Sequence, residues 1–158
     1  MLALFFGTAC AQGQAVSETD KMLEQANVYM HTSPSDVIRY EMHRQMAEGL
    51  YRSVLQRNPA HAEANFRIGM IYFRQAVEII NNFSELDPVF PEDPEDIRMA
   101  MGLMEKALPF MLESYKVQPR HLETLTALSQ IYFALGDYEQ SERYMVEAGL
   151  VMEENKNK

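Results

Sequence analysis

Pro59-Ala60-His61-Ala62-Glu63, followed by Phe66, Ile68 and Ile71-Tyr72-Phe73, recurs as Pro119-Arg120-His121-Leu122-Glu123, followed by Leu128 and Ile131-Tyr132-Phe133. One constant offset, the one that carries Pro59 onto Pro119, brings the two stretches into register. Upstream of each proline the likeness continues at the same offset: Ala47 matches Ala107, Leu50-Tyr51 stand beside Phe110-Met111, and Val54 stands beside Ser114. A chain that repeats itself over tens of residues buries its apolar faces by stacking one unit on the next, instead of closing a single core.

The residues between these landmarks read as helix. Phe66, Gly69, Phe73, Ala76, Ile80 and Phe83 recur at steps of three and four, which puts them on one face of a helix packed against a neighbour. Ile97, Met101, Met104, Leu108 and Met111 do the same further on. Ser33-Pro34-Ser35-Asp36 and Asp93-Pro94-Glu95-Asp96 each supply a capping side chain, a proline suited to the first helical position and an acid three residues after the cap. Both are expected to start helices. Pro109 falls inside the second of these, where it removes one hydrogen bond and crowds the carbonyl four residues back, so a kink is expected there.

The last copy carries Leu125, Leu128, Tyr132, Gly136, Tyr138, Ser141 and Ala148, with Gly136-Asp137-Tyr138 as a turn between two helices. The middle copy carries Ile68-Gly69, Tyr72, Ala107 and Pro119, and the first only Ala47, Tyr51 and Pro59. This pattern, over residues 28 to 152, resembles the tetratricopeptide repeat family, whose 34-residue unit is a helix, a turn, a second helix and a proline before the next unit. At one position of the middle copy Asn65 stands where the family has a large aromatic residue. The fold implied is all-α: an α-solenoid of about three antiparallel helix pairs, with lengthened helices in the first two units. The lengthening follows from the prolines, because the interval from Pro59 to Pro119 is far longer than one unit of the family. The two apolar stripes leave only Ser84 to Asp93 for a loop, so most of the excess should lengthen both helices of the middle unit. Counted back from Pro59, the second helix of the first unit is also long if it starts at Pro34. The two extensions are expected to pack side by side and cover each other's apolar residues.

In the resembled family, partner proteins lie in the concave groove lined by the first helix of each unit. Carried over in register, the groove positions are Glu63, Phe66, Arg67, Met70, Phe73 and Arg74 in the middle unit, and Glu123, Thr126, Gln130 and Phe133 in the last. They imply an aromatic and methionine-lined surface with few fixed charges, suited to an apolar or amphipathic segment of a protein or peptide. One branch of the family grips a terminal carboxylate with Lys and Asn, and here Phe66 and Met70 stand at those places. The alternative expectation is a structural subunit that self-associates through Leu150, Val151 and Met152, left open at the end of the last helix.

Composition narrows the function classes. A formal charge of -9, from 23 acidic and 14 basic residues, argues against nucleic acid, which needs a basic footprint. No paired nucleophile and base, no glycine-rich phosphate loop and no histidine pair at ligand spacing is present, so the chain is expected to be no enzyme and to need no cofactor. His61 and His121 repeat just after the prolines and read as junction residues, not metal ligands. The acids Glu85, Asp87, Glu92, Asp93, Glu95 and Asp96 lack the alternation and central glycine of a calcium loop, and read as helix caps and solvated loop. Met99, Met101, Met104 and Met111 read as gap-fillers of an irregular core.

The first eleven residues, MLALFFGTACA, carry no charge and end in Ala9-Cys10-Ala11, a small-x-small pattern of the kind signal peptidases cut after. Residues 1–11 are therefore read as the end of an export signal, 12–152 as the helical repeat domain and 153–158 as a polar tail. Export to the periplasm is the expectation. Anchoring through a lipid on Cys10, the only cysteine, ranks second because Gly7 stands where that motif has Leu. No segment is long and apolar enough to be expected to span a membrane.

Overall fold

The computed structural model describes residues 17–31, 37–84 and 94–157. Among them are six helices and no strand: α1 (Glu18–His31), α2 (Val37–Arg57), α3 (Ala62–Ser84), α4 (Pro94–Val117), α5 (Leu122–Ala134) and α6 (Tyr138–Lys156). They pack as α1 with α2, α3 with α4 and α5 with α6, and successive pairs stack through α2 on α3 and α4 on α5. This is the expected all-α solenoid of three helix pairs. No helix among the described residues is long and apolar enough to cross a membrane.

The repeat in the sequence is a repeat of hydrogen bonds. After α2 the Asn58 N–H donates to Val54 O at 2.9 Å, His61 N–H to Asn58 O at 3.0 Å and Asn65 N–H to His61 O at 3.0 Å. After α4 the same three bonds run from Gln118 to Ser114, His121 to Gln118 and Leu125 to His121. Proline suits this corner because its fixed φ and missing donor are harmless between helices. Asn65 is buried where an aromatic was expected, and its Nδ2 donates to Pro59 O at 2.8 Å and His61 O at 3.2 Å. It closes the junction with hydrogen bonds where a ring would close it by packing.

The α5–α6 turn is set by two residues. Gly136 has φ +82°, a conformation side chains disfavour, and its N–H donates to Phe133 O while Asp137 N–H donates to Tyr132 O at 2.9 Å. That pair of bonds ends a helix by satisfying its last carbonyls. Asp137 then opens α6, its Oδ1 accepting from Gln140 N–H at 3.1 Å.

Two clusters form the core. Ala26 of α1, Ala47, Tyr51 and Val54 of α2, and Ala64, Ile68 and Ile71 of α3 make the first. Phe66, Phe73 and Ala76 of α3 join Met104, Ala107 and Met111 of α4, Leu125, Leu128 and Ile131 of α5, and Tyr144 and Ala148 of α6 in the second. Helix α3 belongs to both. Gly69 is where α3 meets α4, since a Cβ there would come within 3.0 Å of Met111 side-chain atoms. Met104 and Met111 are core, as expected of gap-fillers, whereas Met99 and Met101 are exposed.

The lengthened helices are present: α3 has 23 residues and α4 has 24, against 13 in α5. Helix α4 passes through Pro109 without a break, with the proline on the exposed side. Helix α2 of the first unit is long as well, with 21 residues. Helix α2 begins at Val37, and the Ser33–Asp36 cap lies outside the described residues, as do the export signal and the acids between Glu85 and Asp93. Ile38, Met42 and Met46 on α2 are exposed. The α2 face that turns to the neighbouring extension is another one: Tyr40, half-buried, and Arg44 wall a cleft of about 590 Å³ together with Ile79, Met99, Leu103 and Lys106. Only α3 and α4 cover one another there, through Ala76, Ala100 and Met104. At the other end of the chain, α6 runs to Lys156, so most of the polar tail is its last turn, tied back by the Arg120–Glu154 ion pair.

Candidate functional site

Helices α3 and α5 are the first helices of successive units, and the open side between them holds a groove of about 580 Å³. Eight of the ten residues placed there by the repeat register line it: Phe66, Arg67, Met70, Phe73 and Arg74 from α3, with Glu123, Thr126 and Gln130 from α5. The spacing explains this, because residues three and four apart on a helix share a face. Leu122, Ala127 and His31 complete the lining. His31, the last residue of α1, was not foreseen; its Nδ1 is 2.7 Å from Asn27 O.

Two positions fall elsewhere. Glu63 is outside the lining but holds it in shape: its carboxylate accepts from Arg67 Nε at 2.6 Å, and the Arg67 guanidinium lies 5.5 Å from the Phe66 ring centre. Phe133 is 64% exposed and packs edge-on against Tyr138 at 5.5 Å, beside the turn and away from the groove.

The character of the surface also differs from expectation. Phe66 is 3% and Phe73 8% exposed, so both rings belong to the core and offer the groove only a floor. Long α3 must cover α4 and α5 together, and these rings do the covering. His121 completes the packing, its ring edge-on to Phe66 at 4.7 Å, with Nδ1 2.7 Å from Thr124 Oγ1. Its partner in the repeat, His61, accepts from Ala64 N–H at 3.3 Å through Nδ1. The accessible walls are polar: Arg74 on α3, and Glu123, Thr126 and Gln130 on α5, are exposed. Neither Arg74 nor Glu123 has an ion-pair partner among the described residues. The groove thus has an apolar floor, a cationic wall and a wall carrying one carboxylate, and is more charged than the sequence implied.

The cleft between the extensions is similar in size but is organised otherwise. Arg44 Nε donates to Glu41 at 2.9 Å, and Glu41 also accepts from Gln45 at 2.8 Å. Burial works against the Glu41 charge, but these hydrogen bonds outweigh it and hold the carboxyl below its usual range. Its charges are partly consumed within α2 itself.

Tyr51 ties α2 to α1 within the first unit and is buried in the same cluster as Ile68 and Ile71 of α3. Its hydroxyl donates to Asn27 Oδ1 at 2.7 Å, and burial pushes the phenol up to about 12. A second polar link joins α2 and α3, where Tyr72 donates to Glu48 at 2.7 Å and accepts from Arg52 at 2.7 Å. Among the described residues no group of three or more His, Cys, Asp or Glu side chains comes together to hold a metal ion.

No curated protein sequence matches the chain. Residues 122–148 match the family profile described as Tetratricopeptide repeat. The matched segment is α5 and the first part of α6, the last of the three helix pairs, and the hydrogen-bonded junction before α5 recurs bond for bond before α3.

Proposed function

We propose that the chain is a non-enzymatic adaptor that holds a segment of another protein in the groove between α3 and α5. The observation that carries this reading is the convergence of Met70, Arg74, Glu123, Thr126 and Gln130, from two successive units, on one open groove floored by Phe66 and Phe73. An amphipathic segment matches it, with an apolar side chain for the floor, an acidic group for Arg74 and a basic one for Glu123. Thr126→Arg is the test: the residue is exposed, so helix content should be unchanged and stability should stay within about 0.5 kcal/mol of the parent. Capture of partner proteins from envelope extracts should fall at least about tenfold, as blocking a central contact does. Unchanged capture would remove the groove from the binding surface.

The setting proposed is the bacterial cell envelope, reached by export to the periplasm. It rests on the apolar run and Ala9-Cys10-Ala11 of residues 1–11. The exported protein should have the intact mass of a chain beginning at Gln12; a mass retaining residues 1–11 defeats export, and one with acyl chains on Cys10 restores the lipid anchor.

A further inference from the structure

Positions one repeat apart have the same neighbours in a solenoid unless a neighbour is missing. Tyr51 on α2 and Met111 on α4 are fully buried, whereas Met145, one repeat unit after Met111, is 61% exposed. Met104 is 3% exposed, and Tyr138, its counterpart one unit on, is 65% exposed. Tyr51 of α2 is buried in one cluster with Ile68 and Ile71 of α3, and Met111 of α4 in the other with Leu128 and Ile131 of α5. The outward face of α6 is thus a helix-receiving face with nothing seated on it among the described residues. Val151 is buried and not part of it, but Val146, Leu150 and Met152 are exposed beside Met145.

Charge selects the occupant. Glu142 and Lys156 stand seven residues before and after Gly149, two helical turns each way, so all three share one stripe alongside Met145 and Met152. Neither charge has an ion-pair partner among the described residues. A Cβ at Gly149 would meet nothing within 4 Å, so the middle of the stripe is free for the close approach of another backbone. Turn a second copy of α6 antiparallel about Gly149, and Glu142 of each copy faces Lys156 of the other, while each Met145 lies against the other's Met152. An end-to-end stack is less well matched, because the open side of α1 carries the two carboxylates Asp20 and Glu24, which offer nothing to Glu142.

We propose that the chain forms a two-fold symmetric dimer through α6, antiparallel and centred on Gly149. A two-fold contact uses the same patch on both subunits and closes, so it yields dimers and not fibres. One helix face is less than the roughly 800 Å² per partner of a standard interface, so the dimer is weak, with a dissociation constant of roughly 1–100 μM. The proposal does not depend on the groove between α3 and α5.

Sedimentation equilibrium of the whole chain, over about a hundredfold range of concentration, tests it. A reversible monomer–dimer equilibrium is expected. Glu142→Lys or Lys156→Glu alone should weaken it about tenfold, since each places like charges together at two symmetric points. The double variant Glu142→Lys with Lys156→Glu should restore the parent affinity, and Met145→Glu should abolish the dimer with helix content unchanged. Thr126→Arg should leave dimerisation as it is, which separates this face from the groove. A monomer at every concentration overturns the proposal, as does a dimer that survives Met145→Glu or ignores the charge reversals.

Discussion

Tyr51 joins α1 to α2 and also makes that contact sensitive to alkali. The unfolded phenol ionises near its ordinary value of 10, whereas in the fold burial, reinforced by Glu63 and opposed by Arg67, raises it to about 12. A raised folded value means that the protonated phenol favours the folded state. Its contribution is therefore intact below pH 10 and lost as pH climbs from 10 to about 12, a fall of roughly 2–3 kcal/mol. Tyr51→Phe removes the hydroxyl and leaves Asn27 without that donor, so at pH 7 it should cost about 1 kcal/mol. Above pH 10 the order should narrow, because Phe has nothing to ionise. Urea titrations at pH 7, 10 and 11.5 read this out; if parent and variant fall in parallel, another phenol governs the loss. Tyr72, raised by burial and by its bond to Glu48, is the next in line.

At the scale of the helix, the sequence was informative wherever one residue type has one local use. Proline followed by histidine marked both junctions, and Gly136-Asp137 marked the turn, because a left-handed backbone and a capping carboxylate each admit few residues. The lengths of α3 and α4 were legible for a different reason: an apolar stripe continues only as far as there is something to cover. What covers it was not legible. Periodicity says that a face is apolar but not which neighbour it meets, and on α2 Tyr40 turns to the cleft while Ile38, Met42 and Met46 stay exposed on another face. Phe66 and Phe73 show two signals in conflict. They lie seven apart on the stripe that also carries Gly69 and Ala76, which argues for the core, and in a repeat register that argues for the groove. Packing decided for the core, and the groove kept the two residues only as its floor. His31 was missed because the first unit is the most divergent, so its first helix had no landmark from which to count.

For the whole molecule, the two clusters sharing α3 make a chain of neighbours and not one sphere, with α1 and α2 at one end and α5 and α6 at the other. In such an arrangement stability is close to a sum of unit and interface terms, and damage need not spread to the far end. Leu128 is fully buried among α4, α5 and α6, so Leu128→Ala should cost about 2–5 kcal/mol through lost transfer energy and a cavity. The loss should be local. Amide hydrogen exchange under native conditions should show protection falling throughout α5 and α6, including the Leu125–His121 junction bond, while amides around Ala47, Tyr51 and Val54 keep nearly all of theirs. Such an end could open and leave the first two pairs stacked, with the groove dismantled because its α5 wall has gone. Equal loss of protection in α2 and α5 would instead show that α3, by serving both clusters, couples the three pairs into one cooperative unit. In that case the groove and the rest of the fold would stand or fall together.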